Sequence, residues 1–327
     1  MSSTANGKPQ PSTSGSPGEI RIPNRATYWP VAPVDLLLGA PLVARLLLGA
    51  SPLGRVLQAA ALGAYLESAI QDWRARRGIR RIDFHREFGA DVDQLVPMPD
   101  EVRVTEIGLL AGRLNDEFVE ERLSRSAMAV EVDRHLTDYI AAITGQHVRT
   151  SVEVRSFTLA GLAFPFALGM CDMLSGDVAI LKDTGPFEPH IITHEFAHRK
   201  GYWKELHAQV LAYLSLADSS DPALRQSARL ERLHRNLRVV SGGEVAEFNQ
   251  LVSLTKLRPE LQDALRQPRA PSNGLGRRMA LSTRGLYDWR LRLTGQNGIS
   301  DYDAGFTNFL HTFETSAVAR QKPPEIH

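Results

Sequence analysis

From residue 31 to 69 the chain is almost continuously apolar, reading VAPVDLLLGAPLVARLLLGASPLGRVLQAAALGAYLESA. Arg45 and Arg55 interrupt it, so no uncharged run reaches the roughly 18–20 residues of a membrane-spanning helix. Helices over 35–50 and 54–76, turning at Ser51-Pro52, read as a buried hairpin; the alternative is a hairpin in or on a membrane surface. In that alternative the basic run RARRGIRR (74–81) meets the headgroups. VPMPDE (96–101) then punctuates the chain, with Asp100 as the cap of the next helix.

Between 101 and 145 apolar residues recur at helical spacing: Val104, Ile107, Leu110, Leu114 and Phe118, then Met128, Val132, Leu136 and Ile140. SVEVRSF (151–157) alternates like a strand, and GDVAILKD (176–183) reads as a short strand. Helices come next over about 203–217 and 222–240, then a flexible loop at 266–278. Two closing helices are joined by a Gly-Asn-Gly-type turn. The fold class is mainly α with a small β-sheet (α+β).

At 327 residues the chain can bury a substantial core in one large domain or one and a half. Residues 1–28 begin MSSTANGKPQPSTSGSPGE, too polar and too rich in Pro, Gly and Ser to repay ordering, and read as a disordered tail without a signal peptide. Residues 29–95 form the hydrophobic helical region, and 96–320 the domain that carries the chemistry. Lys and Arg number 38 against 37 Asp and Glu, which leaves no basic surplus for a nucleic-acid partner. A lone cysteine, Cys171, excludes a disulfide framework and a cysteine-based zinc site. A cytoplasmic or peripheral inner-membrane location fits these features.

The densest chemistry is in THEFAHRKGYWKELHAQVLAYL, residues 193–214. His194 and His198 stand four apart, so on a helix both imidazoles can reach one ion. Glu195 is turned by about 100° from His194. There it can take a proton from water activated by the metal without being a ligand itself, which is why His-Glu-x-x-His marks zinc hydrolases. Gly201 permits a turn that brings back a second helix, whose start offers two further ligands, Glu205 and His207. They are two apart and point about 200° from each other, so only one can face the ion. His207 adjoins the apolar stripe of Ala208, Leu211, Ala212 and Leu214, whereas Glu205 lies on a polar flank beside Lys204. Periodicity favours His207, with Glu205 as the alternative.

The stretch FPFALGM…EPHIITHEFAHRKGYWKELHAQVLAYLSL resembles a bacterial family of zincin-like proteins known as a domain of unknown function, often preceded by hydrophobic segments. Phe164-Pro165-Phe166, Pro189, His194, Glu195, His198, Gly201, Glu205, Ala208 and Ala212-Tyr213-Leu214 carry the likeness. LYDWRLRLTGQNGISDY extends it to about residues 100–315. The resemblance implies a zincin-like core and a Zn²⁺-dependent hydrolase, most simply a metallopeptidase. Two positions depart: Arg199 replaces a glutamine, and His207 stands where the family has the carboxylate expected to be the third ligand. These departures motivate an alternative, a zinc enzyme of other chemistry or an inactive scaffold that binds partners or organises a membrane.

Other candidates are weaker. Ala179, Ile180 and Leu181 could form an edge strand along which a peptide substrate lies; a small-molecule substrate is the other possibility. His190 reads as part of the loop before the motif helix and His234 as a surface residue. Tyr213 and Tyr302 could donate to an oxyanion but read more simply as core or capping residues, and Cys171 as a small buried one.

Overall fold

The computed structural model describes residues 18–28, 32, 51–156, 167–172, 175–180, 183–267, 285, 288–289, 291–293, 295–298 and 301–318. It is mainly helical with two small sheets. The helices are α1 (Pro52–Arg76), α2 (Phe84–Phe88), α3 (Asp100–Asp116), α4 (Arg125–Thr144), α5 (Glu188–Arg199), α6 (Glu205–Ala217), α7 (Pro222–Val240), α8 (Val245–Leu254), α9 (Pro259–Arg266) and α10 (Asp301–Thr315). Strand β1 (Glu19–Arg21) pairs in parallel with β2 (His147–Arg149), and β3 (Gly169–Cys171) pairs antiparallel with β4 (Val178–Ile180).

Helix α5, which carries His-Glu-x-x-His, is the hub. It packs against α4, α6 and α7 and lies on β3 and β4. Its apolar residues Ile192, Phe196 and Ala197 are fully covered. The stripe on α4 faces the same core: Met128, Val132, Leu136 and Ile140 are all buried. On α3 the stripe is only partly the buried one. Leu110 and Leu114 are inside, but Val104 is exposed and Arg103 takes the inner position instead. The Arg103 guanidinium donates to Asn236 Oδ1 and Thr307 Oγ1, both at 2.7 Å, so its charge is solvated by side chains of α7 and α10.

Several boundaries shift from the sequence reading. Residues 18–28 are part of the fold rather than a tail. β1 takes its hydrogen bonds from β2, Ile22 is buried with Ile79 and Val148, and Arg25–Tyr28 forms a 3₁₀ turn. Two isoleucines in an otherwise polar segment suffice once a strand edge is waiting for them. The strand expected at 151–157 reduces to a single bridge between Arg155 and Ala179. Pro99 is the N-cap of α3, and Asp100 is its first helical residue. Residues 245–266, not assigned from the sequence, form α8 and α9. The expected helix over 35–50 lies outside the described residues.

Ser51 caps α1 by accepting the Gly54 amide at 3.2 Å, as the Ser51-Pro52 turn requires. Among the described residues no helix is long and apolar enough to cross a membrane. Leu53, Val56, Leu62, Leu66, Ile70 and Trp73 of α1 are nonetheless at the surface.

Candidate metal centre

Helix α5 ends because Gly201 adopts φ +98°, a left-handed conformation that suits glycine. The turn is closed by the Tyr202 amide donating to Ala197 O at 3.0 Å and the Gly201 amide donating to His198 O at 2.8 Å. The same turn orients a ligand, since His198 Nδ1 donates to Tyr202 O at 2.7 Å. With its proton on Nδ1, the neutral imidazole keeps a lone pair on Nε2.

That lone pair faces two other acceptors. His198 Nε2 lies 3.1 Å from His194 Nε2 and 3.2 Å from Glu205 Oε2, and His194 Nε2 lies 3.1 Å from the same oxygen. Three electron-rich atoms at these separations need a cation or a shared proton at their centre. The side chains of His194, His198 and Glu205 are 12%, 9% and 13% exposed, so the cluster is sheltered but not sealed from solvent. Burial opposes charge on His198, yet the Glu205 carboxylate outweighs it and pushes the imidazole up to about 9. Burial likewise opposes charge on Glu205, and the imidazoles overcome it, holding the carboxyl well below its usual range. Among the described residues, His194, His198 and Glu205 are the group of side chains placed to hold a metal ion.

Glu205, not His207, is therefore the side chain brought to the histidines. His207 Nε2 donates to Asp91 Oδ1 at 2.8 Å, and its ring stacks on Phe84 with centroids 3.6 Å apart and planes 6° apart. It ties α6 to the segment around α2. The two residues do point apart as the helix demands. Apolar periodicity marks the flank that is buried in the core, whereas a buried ligand cluster is itself polar.

Glu195 is buried beside the cluster. Burial raises its carboxyl above the ordinary range, while His194 and His198 pull the other way. Strand β3 runs against it: a Cβ on Gly169 would stand 2.9 Å from Glu195 Oε1 and 3.0 Å from Ile191 Cγ2. The Glu195 carboxylate is thus held against a strand backbone that only glycine allows so near.

The expected substrate strand is placed differently. Ala179 and Ile180 are buried, and β4 is bonded on both edges, to β3 and through Arg155, so it cannot receive a peptide. Leu181 lies outside the described residues. Arg199 faces away from the cluster. It donates to Gly176 O and Ser151 O at 2.6 Å and to Glu153 O at 2.9 Å, clamping the end of α5 to two loops. His190 is in the first turn of α5, not in a loop, and burial depresses it to about 4. His234 is buried between the rings of Phe187 and Phe248 rather than at the surface. Tyr213 accepts from Arg232 in the core, and Cys171 is a half-buried residue of β3.

Sequence reasoning did not find Gln296. Its side-chain oxygen accepts the Glu205 amide at 2.8 Å, capping α6, which has no side-chain cap of its own. No short-range pattern links positions 91 residues apart.

A family model described as a protein of unknown function (DUF3810) matches residues 165–310, a little under half of the chain. The match runs from before β3 into α10 and includes all three clustered side chains and Glu195. No curated protein and no solved structure matches.

Proposed function

We propose that this chain is a zinc-dependent hydrolase with a zincin-like core, acting on peptide bonds. The observation that carries this reading is the convergence of His194 Nε2, His198 Nε2 and Glu205 Oε2 within 3.1–3.2 Å of one another. Tetrahedral zinc with bonds of about 2.0–2.1 Å sets neighbouring ligand atoms about 3.3 Å apart, close to that spacing. Two imidazoles and one carboxylate are a donor set suited to catalytic zinc, which keeps its fourth position for water or substrate.

When bound, zinc would supply Lewis-acid polarisation of water and of the substrate carbonyl. His194, His198 and Glu205 would hold it, and Tyr202 O fixes the tautomer of His198. Glu195, with a proton affinity raised by burial, takes a proton from the attacking water and passes it to the leaving nitrogen. The amide C–N bond breaks, the water oxygen joins the carbonyl carbon, and the amine leaves protonated.

An inactive scaffold drew its support from Arg199 and from the missing carboxylate. Arg199 is occupied by three backbone carbonyls, and Glu205 supplies a carboxylate two positions earlier, so neither feature speaks for inactivity.

Zinc content per chain, measured alongside peptide cleavage, tests the reading. Wild type is expected to hold about one zinc, His194→Ala and Glu205→Ala to lose it, and His207→Ala to keep it. Wild-type protein that takes up no stoichiometric metal after loading would overturn the proposal.

A further inference from the structure

One turn before His194, on the same face of α5, stands His190, a histidine that the proposed reaction does not use. It is 1% exposed, and neither of its ring nitrogens makes a hydrogen bond of good geometry. A neutral imidazole carries one N–H and one lone pair, and leaving both unanswered in a buried place is costly. His194 has the complementary gap. Its Nε2 faces His198 and Glu205, while its Nδ1 is buried without a partner. When Nε2 gives its lone pair to a cation, the ring proton stays on Nδ1, which becomes a buried donor in need of an acceptor.

Side chains on a helix lean toward its N-terminus, so that of His194 leans over the turn that carries His190. From α6, the Gln209 side chain acts on the His190 ring as a hydrogen-bond acceptor. The Gln209 amide nitrogen in turn donates to Glu231 Oε1 of α7 at 3.0 Å, and the same oxygen accepts from Arg235 Nε at 2.7 Å. Gln209 follows Glu205 by one turn of α6, as His190 precedes His194 by one turn of α5. The two helices therefore meet in two polar layers, the ligand cluster and, beneath it, His190 with Gln209. Among the described residues the second layer is not itself placed to hold an ion, which leaves it the task of orienting the first.

We propose that His190 is a positioning residue for the metal centre. Its lone-pair nitrogen accepts the Nδ1–H of His194, its own N–H donates to Gln209, and Gln209 carries the chain on to Glu231. The inference rests on the metal reading above. It means that His194 is locked with Nε2 toward Glu205, and that its ring is anchored through α6 to α7 rather than by α5 alone.

Two measurements test it. In the first, zinc affinity is read by competition with a chromophoric chelator, and the visible spectrum of the cobalt-substituted protein reports ligand geometry. His190→Leu fills the space but offers no acceptor. With its fold kept by circular dichroism, it should bind zinc about 10–100-fold more weakly and shift the cobalt bands. His190→Gln, which restores an acceptor oxygen, should recover most of the affinity. Gln209→Leu should weaken binding less, and adding it to His190→Leu should cost little more, because the chain is already broken. Wild-type affinity and cobalt spectrum in folded His190→Leu overturn the proposal, as does an equal loss in the Leu and Gln variants.

The second measurement needs neither a variant nor cleavage. In protein labelled with ¹⁵N at histidine, a coupling across an N–H···N bond should connect a ring nitrogen of His190 with Nδ1 of His194. Its absence from both the zinc-loaded and the metal-free protein overturns the proposal. A coupling in a protein that takes up no zinc supports the hydrogen-bonded pair and counts against the metal reading instead.

Discussion

Glu195 and Gly169 meet at a point where half an ångström matters. In the proposed reaction Glu195 is a base and not a ligand, so Glu195→Gln should leave zinc content unchanged while hydrolysis falls by about 10²–10⁴-fold. A variant that loses metal and activity together would place this carboxylate in the ligand set. Gly169→Ala drives a methyl into the Glu195 carboxylate and Ile191, so it should displace the base and reduce kcat with metal retained. Wild-type kcat in that variant would show that the contact is not felt. His207→Ala removes a stacked ring and a hydrogen bond to Asp91. It should lower stability by about 1–3 kcal/mol, read from denaturant unfolding, without loss of zinc. Residue chemistry was legible at the motif itself: two histidines one turn apart with an adjacent glutamate can be read from spacing alone. The choice between Glu205 and His207 was not, because apolar periodicity reports burial and a ligand cluster is a buried polar place.

At the scale of elements, α5 is held at its C-terminus by its own basic pair. Lys200 is buried and donates to Thr137 Oγ1 and Val148 O at 2.8 Å, with Asp133 Oδ1 at 2.7 Å, which joins α5 to α4 and β2. Arg199 reaches the loops on the other side, and Arg76 of α1 donates to Arg199 O at 3.2 Å. Arg199→Leu leaves three carbonyls without their donor and should cost about 3 kcal/mol or more, measured as a lower denaturation midpoint with an unchanged slope. A loss below about 0.5 kcal/mol would mean that water replaces the clamp. Helices α4, α6 and α7 were readable because their apolar residues recur at helical spacing; Asp221 also caps α7 just before Pro222. Short strands were not, since three-residue pairings are decided by the partner rather than by alternation.

For the molecule as a whole, two couplings are testable. Ile22 belongs to a small cluster with Ile79 and Val148 that fastens the first strand to β2 and to the segment after α1. Ile22→Ala should destabilise the fold by about 2–5 kcal/mol, and a neutral result would return this segment to the status of a tail. If zinc bridges α5 and α6 as proposed, its chelation should lower Tm and its readdition should restore it. A Tm indifferent to both would argue that no metal bridges the two helices.

By itself the sequence determined that a helix with metal-binding spacing exists, that a glycine ends it, and that helices dominate the domain around it. Those properties are local: they depend on spacing along one helix and on the backbone freedom of one residue. Only the tertiary structure decided that Glu205 turns to the histidines while His207 turns to Phe84. It alone buried Arg199 against carbonyls and shut β4 inside its sheet. Each of those outcomes depends on which elements pack on which. A helix specifies the directions in which its side chains point, but not what will be waiting there.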